Sequence, residues 1–186
     1  MPLTTLDPRT ALIVIDLQKG IVTFPTVDPI AEVIARAAAL AEAFRSHGLP
    51  VVLVNVAGVP PGRTEQASPL REFPEGWTEL IPELNRQPED HTVTKYARGA
   101  FTHTGLEEYL RAQGVTQTVI AGVATSAGVE STARQAHEFG FNVTLAADAM
   151  TDLDPEAQAH SRTRIFPRLG ETGTAAEIIA LLDSNR

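Results

Sequence analysis

Short apolar runs alternate with longer amphipathic segments along nearly the whole chain. Residues 11–16 (ALIVID), 51–56 (VVLVNV), 118–123 (TVIAGV) and 142–147 (NVTLAA) are rich in β-branched side chains and apolar at successive positions. A strand buried on one face alternates apolar with polar, so these runs suit parallel strands covered by helices on both sides. Residues 91–95 (HTVTK) form a more polar candidate strand that ends on Lys95.

The segments between them carry helix-start and helix-stop signals. Asp28-Pro29 reads as an N-cap with proline at the first helical position, followed by an apolar stripe of Ile30, Val33, Ile34, Ala37, Leu40, Ala41 and Phe44. Gly48 stops that helix. Thr104 with Glu107 reads as a capping box opening GLEEYLRAQ, and Gly114 closes it. TSAGVESTARQAHEF predicts a further helix ended by Gly140, and Asp154-Pro155 opens another. Thr174 with Glu177 caps the last, which turns Ile178, Leu181 and Leu182 inward. FPRLGE (166–171) ends a helix and begins a final strand.

This alternation implies right-handed βαβ crossovers and one doubly wound α/β sheet. With 186 residues the chain suits a single domain over 1–186. The exception to the rhythm is 57–90, rich in Pro and Gly and holding the only tryptophan, Trp77. It reads as a long excursion over the sheet edge, and excursions of that length are more often functional than accidental.

Composition narrows the chemistry. Hydrophobic residues make up 43% and charged residues 20%, an ordinary globular balance. A net charge of −8 argues against a nucleic-acid partner, which needs a basic face. No apolar run approaches the roughly 20 residues that span a bilayer, and MPLTTLDPRT lacks the features of a signal peptide. The expectation is a soluble, cytoplasmic protein that engages neither membrane nor nucleic acid. There are no cysteines, which excludes disulfides, zinc–thiolate sites and thiol nucleophiles. The five histidines are scattered, without the spacing of a metal-binding pair.

In open α/β sheets, ligands bind beyond the carboxyl ends of the strands. Three such ends carry notable residues: Asp16 with Gln18 after the first, Lys95 after the third, and GVATSAGVEST (122–132) after the fourth. Each has a bland reading as a cap, a solvated lysine or a close-packing turn. Together on neighbouring strand ends they would converge on one pocket.

ALIVIDLQKG, TKYARGAF, GVATSAGVEST and NVTLAADAMTDLD, in this order and spacing, resemble the isochorismatase-like hydrolase family of the cysteine hydrolase superfamily. The resemblance spans nearly the whole chain. It implies a Rossmann-like three-layer sandwich with a six-stranded parallel sheet in the order 3-2-1-4-5-6. It also implies a homodimer or higher homo-oligomer, and a non-proline cis peptide at Val123–Ala124. By the same resemblance, Asp16 and Lys95 match two members of the family's Asp-Lys-Cys triad, and Gly128 stands where the amidase branch places its cysteine. VNVAGVPPG lacks the Asp and His cluster of the zinc-binding amidases, so neither metal nor other cofactor is expected.

Glycine offers no nucleophile, so thioester chemistry at position 128 is impossible. True isochorismatases are similar in having glycine there. They hydrolyse a vinyl ether, which needs an acid to protonate carbon and water to capture the resulting cation. Asp16 is the expected acid and Lys95 the cation that orients substrate carboxylates. Gln18, Ala124, Thr125, Ala127, Arg63 and Arg98 are the expected substrate-binding residues, with the N–H groups of Ala127 and Gly128 offered to an anion. Two other readings stay open: an amidase using a hydroxyl such as Ser126, and a catalytically silent binding member of the family. One conflict is built into the first reading. Burial raises the pKa of Asp16 while Lys95 lowers it.

Overall fold

The computed structural model describes residues 3–65 and 73–184. Its centre is a six-stranded parallel sheet of β1 (Thr10–Ile15), β2 (Val51–Val56), β3 (His91–Lys95), β4 (Gln117–Val123), β5 (Asn142–Thr151) and β6 (Glu171–Gly173). The strand order is β3-β2-β1-β4-β5-β6, as expected. Side chains of β1 alternate between two buried layers. Leu12 and Val14 face one, Ala11, Ile13 and Ile15 the other, which explains why the strand is apolar throughout. Helices α1 (Ile30–Ser46) and α5 (Ala175–Ser184) cover the first layer. Helices α2 (Leu106–Ala112) and α3 (Glu130–Glu138) cover the second. A short helix α4 (Pro155–His160) follows β5.

The helix-start signals are realised unevenly. Thr174 and Glu177 form a reciprocal box, the Thr174 N–H donating to Glu177 Oε2 at 2.7 Å and the Glu177 N–H to Thr174 Oγ1 at 3.2 Å. Asp154 caps α4 by accepting from the N–H groups of Glu156 and Ala157. Asp28 does not cap α1. Its carboxylate instead accepts from Gln158 Nε2 at 2.8 Å, a tertiary contact that outcompetes the local one. Thr104 and Glu107 likewise form no box, because Gly105 at φ 72 takes the N-cap position and Glu107 faces down the helix toward Arg111.

Strand β5 runs past residue 147, where its apolar pattern breaks. Its register against β4 slips between Ile120–Leu145 and Gly122–Met150, so residues 146–149 bulge out. Arginines hold the bulge: Arg162 donates to the carbonyls of Ala147 and Met150, and Arg36 to that of Asp148. Asp148 also accepts from the Ala175 N–H at the start of α5. These contacts are long-range and leave no local pattern. The bulge carries the strand on to Thr151 and Asp152, beside the turn that follows β4.

Candidate active site

Asp16 follows the last residue of β1 and leaves the strand in the left-handed region, at φ 53. Few residues other than glycine adopt that conformation, and it ends the strand abruptly. The last backbone bond of the β1 edge toward β2 is the Asp16 N–H to the Val54 carbonyl, at 2.9 Å. Lys95 ends β3, two strands away, and its side chain passes the end of β2 to reach Asp16. Lys95 Nζ donates to Asp16 Oδ2 at 2.8 Å and to the Ala97 carbonyl at 3.2 Å. Both side chains are buried.

Burial dominates the electrostatics of the pair. Desolvation pushes the Asp16 carboxyl up from the usual 3.8 to about 6, against the opposing charge and hydrogen bond of Lys95. Asp16 Oδ1 is buried without a hydrogen-bond partner. The carboxyl therefore has one oxygen tied to a cation and one uncommitted.

The turn after β4 closes on the same point. The Val123–Ala124 peptide is cis. Residues Thr125–Val129 then make one wide π-helical turn into α3. Gly128 in that turn abuts the pair, since a Cβ there would lie 3.3 Å from Asp16 Oδ2 and 2.9 Å from Ile15 Cγ2. Positions 16, 95 and 128 thus converge, as the strand-end argument required.

The expected binding residues fare differently. The Ala127 N–H is spent on the Ala124 carbonyl at 3.0 Å, so it is not free for an anion. The Ser126 N–H donates to Asp152 Oδ2 at 2.6 Å, which gives the start of this helix an internal carboxylate. Asp152 was not among the expected site residues. Its signal was available, an acidic residue just past a strand end in DAMTDLD, but nothing local ties it to the turn after β4. Thr125 is fully buried and its Oγ1 has no partner. Ala124 is half-buried beside it.

Gln18 does not offer its amide to a ligand. It is fully buried, accepts from the Val56 N–H at 2.7 Å, and donates to the carbonyls of Val56 at 3.0 Å and Trp77 at 3.3 Å. Both of its N–H groups are committed. Arg63 and Arg98 are exposed, in the loops that follow β2 and β3. His103 is also exposed, and His91 stacks on Tyr109 with ring centroids 3.7 Å apart. Among the described residues, no group of three or more His, Asp or Glu side chains could share a metal ion. No helix among them is long and apolar enough to cross a membrane.

This arrangement can hold and release a proton at Asp16 and can balance a negative charge with Lys95. It has no side chain at 128 with which to attack a substrate.

Residues 10–177 match the Isochorismatase domain family model. The chain is 39% identical over 183 residues to the uncharacterized isochorismatase family protein YecD of Escherichia coli O157:H7, covering 93% of this chain and 96% of that one. It is 38% identical over 178 residues to the uncharacterized family protein YwoC of Bacillus subtilis (92% and 93% covered). A solved isochorismatase family protein from Burkholderia thailandensis superimposes with a TM-score of 0.92 at 41% identity, covering 96% of this chain and 98% of that one. The chain belongs to the isochorismatase family, and within it is a hydrolase without a cysteine nucleophile.

Proposed function

We propose that the protein hydrolyses a small carboxylate-bearing metabolite by acid catalysis from Asp16, in the manner of vinyl-ether hydrolysis of isochorismate type. Asp16 Oδ1 is the proton-bearing oxygen, since Oδ2 is held by Lys95. The proton passes to the methylene carbon of the enol ether, the carbon–carbon double bond supplies the electron pair, and an oxocarbenium ion forms. Water adds to that cation and returns a proton to Asp16. The hemiketal then collapses to a ketone and an alcohol, which breaks the ether bond. Lys95 orients the substrate carboxylate and limits the charge that develops at Asp16.

The observation that carries this reading is the buried carboxyl at about 6 with one oxygen free. An acid near the working pH combines adequate protonation with a strong drive to donate, and an unperturbed aspartate does not. The glycine at 128 suits a reaction in which nothing on the protein becomes covalently bound to substrate.

The test is turnover of isochorismate and simple enol-pyruvyl ethers by the purified protein, beside a panel of amides including nicotinamide. Release of pyruvate that disappears with Asp16→Asn supports the proposal. Amide turnover alone would replace it with a hydroxyl-nucleophile amidase. Tight binding without turnover of either class would leave a binding protein.

A further inference from the structure

Strand β1 stops pairing with β2 at Asp16, yet β2 runs on to Val56. The N–H and C=O of Val56 on that edge need partners once buried. The Gln18 side chain supplies them. Its Oε1 accepts from the Val56 N–H at 2.7 Å and its Nε2 donates to the Val56 carbonyl at 3.0 Å. A primary amide carries the same donor and acceptor as a peptide unit, so Gln18 continues the ladder with its side chain after the backbone has turned away. That substitution allows Asp16 to leave the strand at φ 53 without orphaning the end of β2.

The same residue is anchored from both sides. The Gln18 N–H donates to the Asp16 carbonyl at 2.9 Å, which closes a three-residue turn around Leu17. Beyond it, the loop is zipped to the returning half of the 57–90 excursion. The Lys19 N–H donates to the Glu79 carbonyl at 2.8 Å, the Gly20 N–H to the Trp77 carbonyl at 3.0 Å, and the Ile81 N–H to the Leu17 carbonyl at 3.2 Å. Gly20 lies flat against the Trp77 ring, where a Cβ would fall 2.1 Å from ring atoms. Residues 77–81 thus form a strap that presses this turn onto the end of β2.

We infer that Gln18 is a positioning residue: by replacing the missing backbone of β1 it fixes the left-handed conformation of Asp16 and with it the aim of the carboxyl at Lys95. Without it, the end of β2 would draw in water or the β1 backbone itself. A β1 that kept extended geometry at residue 16 would reorient the Asp16 side chain, because successive strand residues face opposite sides. Among charged groups, Lys95 from β3 faces Asp16. Val56 on β2 and Gly128 after β4 bring no charge, and Lys19 in the loop is exposed and paired with Glu79.

This inference concerns the same carboxyl as the proposed function and rests on that reading only for its effect on rate. Its test therefore reads Asp16 directly, by carboxyl carbon-13 titration of the free protein. Gln18→Leu keeps most of the apolar volume and Gln18→Met keeps the length, and both lose every side-chain hydrogen bond without bringing a charge near Asp16. Both are expected to move the Asp16 titration down from the wild-type value toward the ordinary carboxylate range, as the carboxyl becomes hydrated. In the hydrolase assay kcat is expected to fall roughly tenfold or more, with KM changed far less. Ile178→Val, a core change under α5, serves as the control for lost stability and is expected to leave the titration and kcat in place. A wild-type Asp16 titration in either Gln18 variant overturns the inference, and so does an equal shift in Ile178→Val. If the titration moves while no vinyl ether is ever turned over, the positioning role stands and the proposed chemistry falls.

Discussion

Lys95 Nζ lies 2.8 Å from Asp16 Oδ2, and the carboxyl it touches is nonetheless more weakly acidic than a free aspartate. A lysine this close usually lowers a carboxyl pKa. Here both groups are buried, and the desolvation of the carboxylate exceeds what one cation returns. The outcome is an aspartate that holds its proton up to about pH 6 while hydrogen-bonded to Lys95.

The pH dependence of turnover follows from that ordering. A general acid works in its protonated form, so kcat/KM, which reports the free enzyme, is expected to fall as pH rises through about 6, by about tenfold per unit well above it. Asp16→Asn keeps the shape but has no carboxylic proton, and is expected to lose roughly 10²–10⁴ in rate. Steady-state kinetics between pH 5 and 9 check both statements. A flat profile, or an Asn variant within a few-fold of wild type, would remove Asp16 from the acid role.

Stability carries the same signature with a definite sign. The folded carboxyl at about 6 lies above the usual 3.8, so the folded state holds its proton more tightly than the unfolded chain. The stabilisation is complete below about pH 4 and is lost as pH rises through about 6. The size is of order 3 kcal/mol for a shift of this extent. Denaturant melts of wild type and Asp16→Asn at pH 4 and pH 7 are expected to differ by that change in relative stability, with wild type losing ground at the higher pH.

Lys95→Met separates the two influences on the carboxyl. Removing the cation takes away the lowering contributions and leaves desolvation unopposed, so the Asp16 titration is expected to move further up. The high-pH limb of any remaining activity moves up with it. The rate itself is expected to fall if, as proposed, Lys95 orients the substrate carboxylate. Titration by carbon-13 resonance alongside the kinetic profile distinguishes these effects.

The sheet was legible because its strands bury both faces and read as unbroken apolar runs, as in ALIVID and TVIAGV. The Asp16, Lys95 and Gly128 positions were legible for a related reason, since strand ends in such a sheet are neighbours by topology. The signals that misled were local ones with tertiary competitors. Asp28 looks like a cap beside Pro29, yet Gln158 from α4 claims its carboxylate. Gln18 sits where a ligand would be expected, yet its amide completes β2. Asp152 was missed because its partner, the Ser126 N–H, is 26 residues away in sequence. None of these pairings leaves a period or a motif in the chain.

Position 128 offers the strictest test of chemistry without a nucleophile. A Cβ there would meet Ile15 Cγ2 at 2.9 Å, closer than side-chain carbons pack, and Asp16 Oδ2 at 3.3 Å. Either the methyl or the turn must give way, and Ile15 is fully buried between β1 and its helices. Gly128→Ala is expected to cost about 1–3 kcal/mol by overpacking, offset in part by the roughly 1 kcal/mol that alanine gains over glycine in a helical turn. Because the added atom presses on the oxygen that Lys95 holds, the rate is expected to drop as well. Gly128→Cys extends the logic. The wild-type chain has no cysteine, so any thiol labelling reports position 128 alone. Its thiol is expected to label slowly and to bring no amide turnover, because its Cβ would press on the buried Ile15 methyl at 2.9 Å and on Asp16 Oδ2 at 3.3 Å. Adding Ile15→Ala removes that methyl, and the double variant is expected to label faster than Gly128→Cys alone. Labelling rates that are the same in the single and double variants would show that Ile15 does not close the position.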